Sequence, residues 1–328
     1  MRLIATVALV IGLAHPAMAG VDEALDDHIL PGMNGFAEAT AELARKARSD
    51  CRAEALRPAY QAAFDAWMPV ADLRLGPSET GALSIAFWPD ARGSTQRTLA
   101  RFLSEKDPVA ADVQAYAEVS IAARGFFALD MLMHDPGFAD YPADSYACTL
   151  VATIAQDLDR QAKALATAWT DTFAQTLRTA GGDANTAFLS EDEAVRAVYT
   201  QILSSLEFTA NQRLGMPMGS FDRPRPALAE ARRSGRSLRN VVLAAEAAHD
   251  LATALADWDL PQSSAALAQV HESAARIEDP AFQDLAQPQA RLRAEILQQA
   301  VQGLREAIET EIGLRMGIAP GFNSQDGD

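Results

Sequence analysis

The sequence has very little sulfur chemistry to offer. Two cysteines, Cys51 and Cys148, stand among 328 residues, and no CxxC pair occurs. A thiolate-built zinc site is therefore excluded. Histidine is nearly as scarce, with five in all and one of them, His15, close to the start. That count argues against a multi-histidine metal centre. His271-Glu272 is followed by Ser273-Ala274-Ala275, so no HExxH forms. The GxSxG elbow, the phosphate loop and the dinucleotide glycine fingerprint are missing as well. Alternating β-branched and aromatic runs are almost absent, which leaves no strand to place. Positive charge is in deficit: 28 Lys and Arg face 44 Asp and Glu, for a net charge of −16. An acidic chain of this kind is a poor partner for nucleic acid or an anionic membrane. No segment beyond the first residues is long and apolar enough to span a bilayer.

What is present begins with MRLIATVALVIGLAHPAMAG. Arg2, an apolar stretch and Ala17-Met18-Ala19 before Gly20 form the pattern of a secretory signal peptide. The pattern predicts a leader over 1–19 and an exported, soluble protein starting near Gly20. No cysteine follows the apolar stretch, so no lipid attachment point is expected. In an oxidising compartment Cys51 and Cys148 are expected to pair, two buried thiols being the alternative.

Alanine, leucine, glutamine, arginine and glutamate dominate the rest. Apolar residues recur at helical spacing over 33–48, 56–73, 109–133, 145–178, 191–214, 237–257 and 281–315, with glycine and proline in the gaps. The chain reads as all-α, with long helices in antiparallel bundles. Self-comparison adds an internal match. Tyr60, Ala71, Arg74, Leu75 and Gly76 recur 139 residues later as Tyr199, Ala210, Arg213, Leu214 and Gly215, and Arg97 recurs as Arg236. A constant offset predicts two related helical bundles from a duplication, over 20–180 and 181–328, meeting near Gly181-Gly182.

Several segments resemble the imelysin family: DHILPGMNGFAEAT at 27–40, RLGP at 74–77, FWPDARG at 87–93, GFFALDML at 125–132 and the tail MGIAPGFNSQDGD. The block RPRPALAEARRSGRSLRN at 223–240 is similar to that of a shorter subgroup. The resemblance implies two related helical bundles and a periplasmic or outer-membrane protein. The family was first described as metallopeptidases and is also tied to bacterial iron uptake. Its metal motif is GxHxxE. Gly125 matches that motif, Phe127 stands where the histidine would be, and Asp130 replaces the glutamate. Losing the imidazole and one methylene of reach weakens a metal site, so Asp130 reads as the remnant of one. His134, four residues on, shares its helix face and forms with Asp130 a displaced pair of metal-ligand candidates; the alternative places His134 at a helix end, where positive charge suits the dipole.

A second constellation is basic. Arg213, Arg223, Arg225, Arg232, Arg233, Arg236 and Arg239 crowd one stretch of an acidic chain. Guanidinium forks hold carboxylate or phosphate in two-pronged fashion. The cluster either binds an anionic ligand or pairs with the chain's own carboxylates to lock the bundles. Ser234 is a candidate hydroxyl donor and cap for a helix resuming at Gly235. In FWPDARG, Trp88 either walls a pocket or packs under a loop, and Asp90 is its acid. The expected ligand site is thus Arg74, Trp88, Asp90, Asp130, Arg213, Ser234 and Arg236, between the bundles. Arg236 is expected to face the ligand, and Arg97 to pair structurally. The ligand class is a small molecule or metal chelate, with iron or another divalent metal as the cofactor the resemblance implies. An iron-uptake membrane component is the implied partner; the alternatives are a metallopeptidase, or a periplasmic scaffold or adaptor without a ligand, in which the arginine cluster is structural.

Overall fold

The structure, a computed structural model, describes residues 20–256 and 258–317. The leader expected over 1–19 and the tail from 318 onward lie outside the described residues. The fold is all-α. Among the described residues no strand forms, and the sole bridge joins Ser220 and Arg223 in a tight turn. Ten helices of eight or more residues carry the architecture: α1 (Leu30–Ser49), α2 (Ala53–Trp67), α3 (Ser78–Ile85), α4 (Ser94–Glu105), α5 (Gly125–His134), α6 (Tyr146–Ala168), α7 (Glu191–Phe208), α8 (Ser237–Leu255), α9 (Pro261–Ala274) and α10 (Pro288–Ile308). In the first part α1 packs between α2 and α6, with α5 laid across α6 and α2. In the second, α8 and α10 flank α7, and α9 pairs with α10. Helix α8 also touches the π-turn Ala24–Ile29 and the 3-10 turn Met68–Val70 of the first part. The buried apolar side chains therefore form one continuous cluster, from Val21 to Ile312.

Local chemistry sets the helix starts. The Ser145 hydroxyl accepts from the Cys148 amide at 3.2 Å and opens α6. Ser190 accepts from the Glu193 amide while the Glu193 carboxylate accepts from the Leu189 amide, a capping-box exchange that fixes the start of α7. At its far end α7 runs into a π-turn, Thr209–Leu214, which carries Arg213.

One expectation fails here. Residues 109–133 are not one helix but a 3-10 turn (Pro108–Ala111), a short helix (Val113–Tyr116), a second 3-10 turn (Ile121–Ala123) and then α5. Asp112 and Ser120 each draw a following amide onto their side chains, so each restarts the backbone. Gly125 completes the break with φ +68°. A Cβ there would lie 2.1 Å from the Ile85 carbonyl oxygen and 2.5 Å from that of Ser84. The glycine of GFFALD is thus required by a backbone touching it, independently of any metal motif. Phe127 stands 9% exposed with its ring edge-on to Phe64 at 5.9 Å, and Phe126 stacks on the same Phe64 at 4.3 Å.

The positions that match at the 139-residue offset share burial in part. Tyr60 and Tyr199 are both buried, as are Ala71 and Ala210, but Arg74 is exposed and Arg213 is not. Cys51 and Cys148 form a disulfide, their Cα atoms 5.2 Å apart and 97 residues apart in sequence. It ties the start of α2 to the first turn of α6. Closing a loop of this length stabilises by about 4–5 kcal/mol on chain-entropy grounds, less native strain. Replacing Cys148 by serine is therefore expected to lower the free energy of unfolding by a comparable amount in chemical denaturation, and intact mass should rise by two hydrogen atoms on reduction of the parent. Unchanged mass on reduction would refute the pairing.

Candidate functional site

The site is a polar seam. On one side lie α2, the turn after it, and α5; on the other lie the Arg213 π-turn, the irregular segment 219–236, and α8. A continuous chain of hydrogen bonds runs along it. The Asp72 carboxylate accepts from Arg213 Nη1 at 2.7 Å and Nη2 at 2.9 Å, and from the Ser205 hydroxyl at 2.8 Å. Arg213 Nε donates to Glu230 at 2.9 Å, and the same Glu230 oxygen accepts from Asn240 at 3.1 Å. Asn240 accepts from Arg236 Nε at 3.2 Å. Arg236 then reaches α2, donating to Gln61 Oε1 at 2.6 Å and Asp65 at 2.7 Å, with its guanidinium 4.5 Å above the Phe64 ring. Gln61 returns a donor to the Ser234 carbonyl at 3.2 Å, and the Ser234 amide donates to Asp130 at 3.0 Å.

Electrostatics divide these carboxylates into two kinds. Burial pushes Asp72 up, but Arg213, with help from Arg74 and Ser205, outweighs it and holds the group below its usual range. Asp65 behaves alike: burial raises it, and the forks of Arg239 and Arg236 bring it down. Asp130 goes the other way. It is 1% exposed and forms no ion pair among the described residues, so burial keeps its carboxyl above the usual range against the opposing pull of Ser234, Arg233 and Arg232. His134, one turn further along α5, is pushed down to about 4, first by burial and then by Arg57. Its buried Nδ1 has no hydrogen-bond partner among the described residues.

The structure brings Asp130, Ser234, Arg236 and Arg213 onto this one chain, and places the other expected residues elsewhere. Arg236 does not face an open ligand pocket: its Nε, Nη1 and Nη2 are all spent on Asn240, Gln61 and Asp65. Its counterpart Arg97 is not in the seam at all. It lies on an exposed face, donating to the Arg92 carbonyl and Ser94 hydroxyl, so the structural pairing expected of Arg97 falls to Arg236 instead. Arg74 is exposed beside Asp72 and folds back on the carbonyls of Ala71 and Leu73 at 2.5 and 3.2 Å. Trp88 meets Phe208 edge-on at 5.9 Å, and Phe208 lies 4.9 Å beneath the Arg213 guanidinium; the tryptophan supports the clamp from behind. Asp90 accepts the amides of Ser94 and Thr95 at 2.9 and 2.7 Å and so starts α4. Ser234 caps no helix, because α8 begins at Ser237 and its hydroxyl donates to the Ala231 carbonyl at 3.0 Å. Gln61, Asp65, Asp72, Glu230 and Asn240 carry the seam without having stood out in the sequence. The available signal was acids at 65 and 72 within an otherwise apolar helical run, YQAAFDAWMPVAD.

A metal centre does not fit these residues. Phe127 fills the would-be histidine position with a ring packed on Phe64, and one Asp130 oxygen is committed to the Ser234 amide. No group of three or more His, Cys, Asp or Glu residues is placed to hold a metal ion among the described residues.

Comparison with known proteins follows the same outline. The family model for Imelysin matches residues 29–308. No curated protein sequence gives a match. The solved structure of an imelysin-like protein from Psychrobacter arcticum 273-4 superposes with a TM-score of 0.73 at 19% identity, covering 92% of this chain and 96% of that one. A protein from Parabacteroides distasonis ATCC 8503, provisionally assigned as an iron-regulated protein A precursor, gives 0.66 at 12% identity, covering 89% and 95%. Likeness at such identities concerns the fold.

Two outcomes follow from the seam. Arg213→Met strands two buried carboxylates and is expected to cost roughly 3–5 kcal/mol in chemical denaturation. Arg236→Met should cost less, because Asp65 keeps the Arg239 fork and is 30% exposed, and Arg97→Met should leave the midpoint unchanged. Equal losses for Arg213 and Arg97 would contradict the geometry. For Asp130, a folded pKa raised above the unfolded value means its stabilising contribution is fully present below about pH 3.9 and is lost as pH rises through the folded pKa. Asp130→Asn, which still accepts from Ser234, should therefore raise the melting temperature at pH 7 and lose that advantage in acid. A variant less stable than the parent at pH 7 would overturn this assignment.

Proposed function

The chain belongs to the imelysin family, and on that premise we propose that it is an exported binding protein of iron acquisition without peptidase activity. Its ligand is an anionic iron chelate, carried as cargo, and its binding corner is Asp130 with the basic groups around it. One observation supports this reading most. Asp130 is a buried acid held by an amide and no guanidinium, whereas the equally buried Asp157 is paired with Arg124 and Arg160. An acid retained against stability is a mark of function rather than packing. Arg232 and Arg57 lie close enough to act electrostatically on Asp130 and His134, and neither has a carboxylate partner among the described residues. Those guanidiniums would supply charge to the anionic chelate, and the Asp130 carboxyl would accept a hydrogen bond from a hydroxyl of the ligand. The ligand would take the place of the Ser234 amide on Asp130.

Export rests on the leader pattern and agrees with the disulfide; the periplasm is the compartment this implies. No helix among the described residues is long and apolar enough to cross a membrane. The link to iron rests on the family and on the iron-regulated assignment of the Parabacteroides neighbour. An iron-uptake membrane component is the partner this reading requires.

The test is native mass spectrometry with elemental analysis of protein taken from its own host, followed by thermal melts with ferric citrate. A retained chelate, and a ferric citrate shift in the parent that Asp130→Asn and Arg232→Gln both lose, are expected. No retained species and no shift would sink the binding reading. Peptide cleavage abolished by a chelator would restore the peptidase one.

A further inference from the structure

A second polar centre lies apart from the seam, at the opposite end of α5. Arg124, the residue before that helix, is 9% exposed and binds Asp157 of α6 through Nε at 2.8 Å and Nη2 at 3.1 Å. Arg160, one turn along α6, reaches the same carboxylate with Nη2 at 2.7 Å, and Gln161 Nε2 adds a fourth donor at 2.7 Å. Ser84, at the end of α3, locks Gln161 in place by donating to its Oε1 at 2.5 Å. Asp157, fully buried, is thereby saturated: two donors on each oxygen. Two guanidiniums share one carboxylate, so one positive charge is left over.

That surplus charge faces open space. Arg124, Arg160, Gln161 and Ser84 line a cleft of about 400 Å³, within the usual range for small-molecule sites. Nη1 of Arg124 and Nη1 of Arg160 have no protein partner among the described residues, and Arg160 Nε is buried with none. The rest of the lining is largely apolar: Ile85, Ala164, Leu165 and Ala168 supply much of it. The position of Ser84 and Ile85 is itself fixed, because their carbonyls press on Gly125. Only one other charge lines the cleft, the exposed Glu118, which has no ion-pair partner among the described residues.

From this geometry we propose that the cleft is a binding site for a short aliphatic monocarboxylate. The planar guanidinium edges match a carboxylate in shape and hydrogen-bond direction. The free edges of the two guanidiniums take the carboxylate, with the exposed Glu118 offsetting part of their charge, and the alanine and leucine wall takes the hydrocarbon tail. A phosphate dianion offers no apolar part and would meet Glu118. The site depends on neither iron nor Asp130, so it stands or falls separately from the seam.

Butyrate is the probe, with inorganic phosphate in parallel, titrated calorimetrically into the full chain. Saturable butyrate binding in the millimolar range is expected, and weaker phosphate binding. Arg160→Gln should weaken butyrate by about tenfold or more while Arg124 still neutralises Asp157. Ala164→Phe, at an exposed helix position, should block the cleft sterically, and Glu118→Gln should tighten binding. Circular dichroism melts show that each variant is folded. No saturable butyrate binding would overturn the site. Phosphate binding as tightly as butyrate would overturn the ligand class. Butyrate affinity unmoved by Arg160→Gln and Ala164→Phe would place the binding elsewhere and overturn the proposal too.

Discussion

Burying a guanidinium requires carboxylates along its edges, and at Arg213 the chain supplies them from both sides of the seam. Asp72 comes from the turn after α2, and Glu230 from the segment that precedes α8. With Arg213 only 3% exposed, either acid left alone would face the full cost of its own desolvation. The clamp therefore fixes the π-turn, the segment 219–236 and the end of α2 relative to one another. Everything further along follows from that placement. Asn240 is held by Glu230, Arg236 by Asn240, and the Ser234 amide arrives over Asp130 because Gln61 grips its carbonyl.

Much of the fold was legible in the sequence, and the reasons are specific. The windows 191–214 and 237–257 carry helical periodicity, the first also a Ser190 cap, and α7 with its π-turn and α8 occupy them closely. The window 109–133 misled because apolar content alone hides the difference between one long helix and three short turns followed by α5; the amide-binding side chains of Asp112 and Ser120 decide it. Helices α3 and α9 are weakly periodic and were not seen; α4 is amphipathic and was missed all the same. At the site, the arginine cluster was visible by composition, yet its partners were not. Asp65 and Asp72 lie 171 and 141 residues from the guanidiniums they hold, and no local pattern spans such distances. The internal match misassigned Arg97 for the same reason: sequence likeness carried an environment across that the tertiary contacts do not repeat.

GFFALD illustrates how a motif can outlive the chemistry it resembles. Gly125 is demanded by the carbonyls of Ser84 and Ile85, and Phe127 by the ring of Phe64. Both would be kept by packing alone. Asp130 differs: it is a buried acid that accepts from Ser234 and pairs with no guanidinium among the described residues.

The long reach of the seam also sets an order of assembly. Asp65, Asp72 and Asp130 are all present once α5 is made, yet their partners lie between residues 213 and 239. Until that stretch arrives, helices α1 to α6 carry unpaired acids on a face that will later be buried, and those charges keep the face hydrated. The first part can gather its aromatic core around Phe64 but cannot seal this side. Contacts so distant in sequence form late, because loop closure must precede any gain from them. An acidic, water-loving face that closes only when the arginines of the second part reach it would keep an incompletely made chain from sticking to its neighbours.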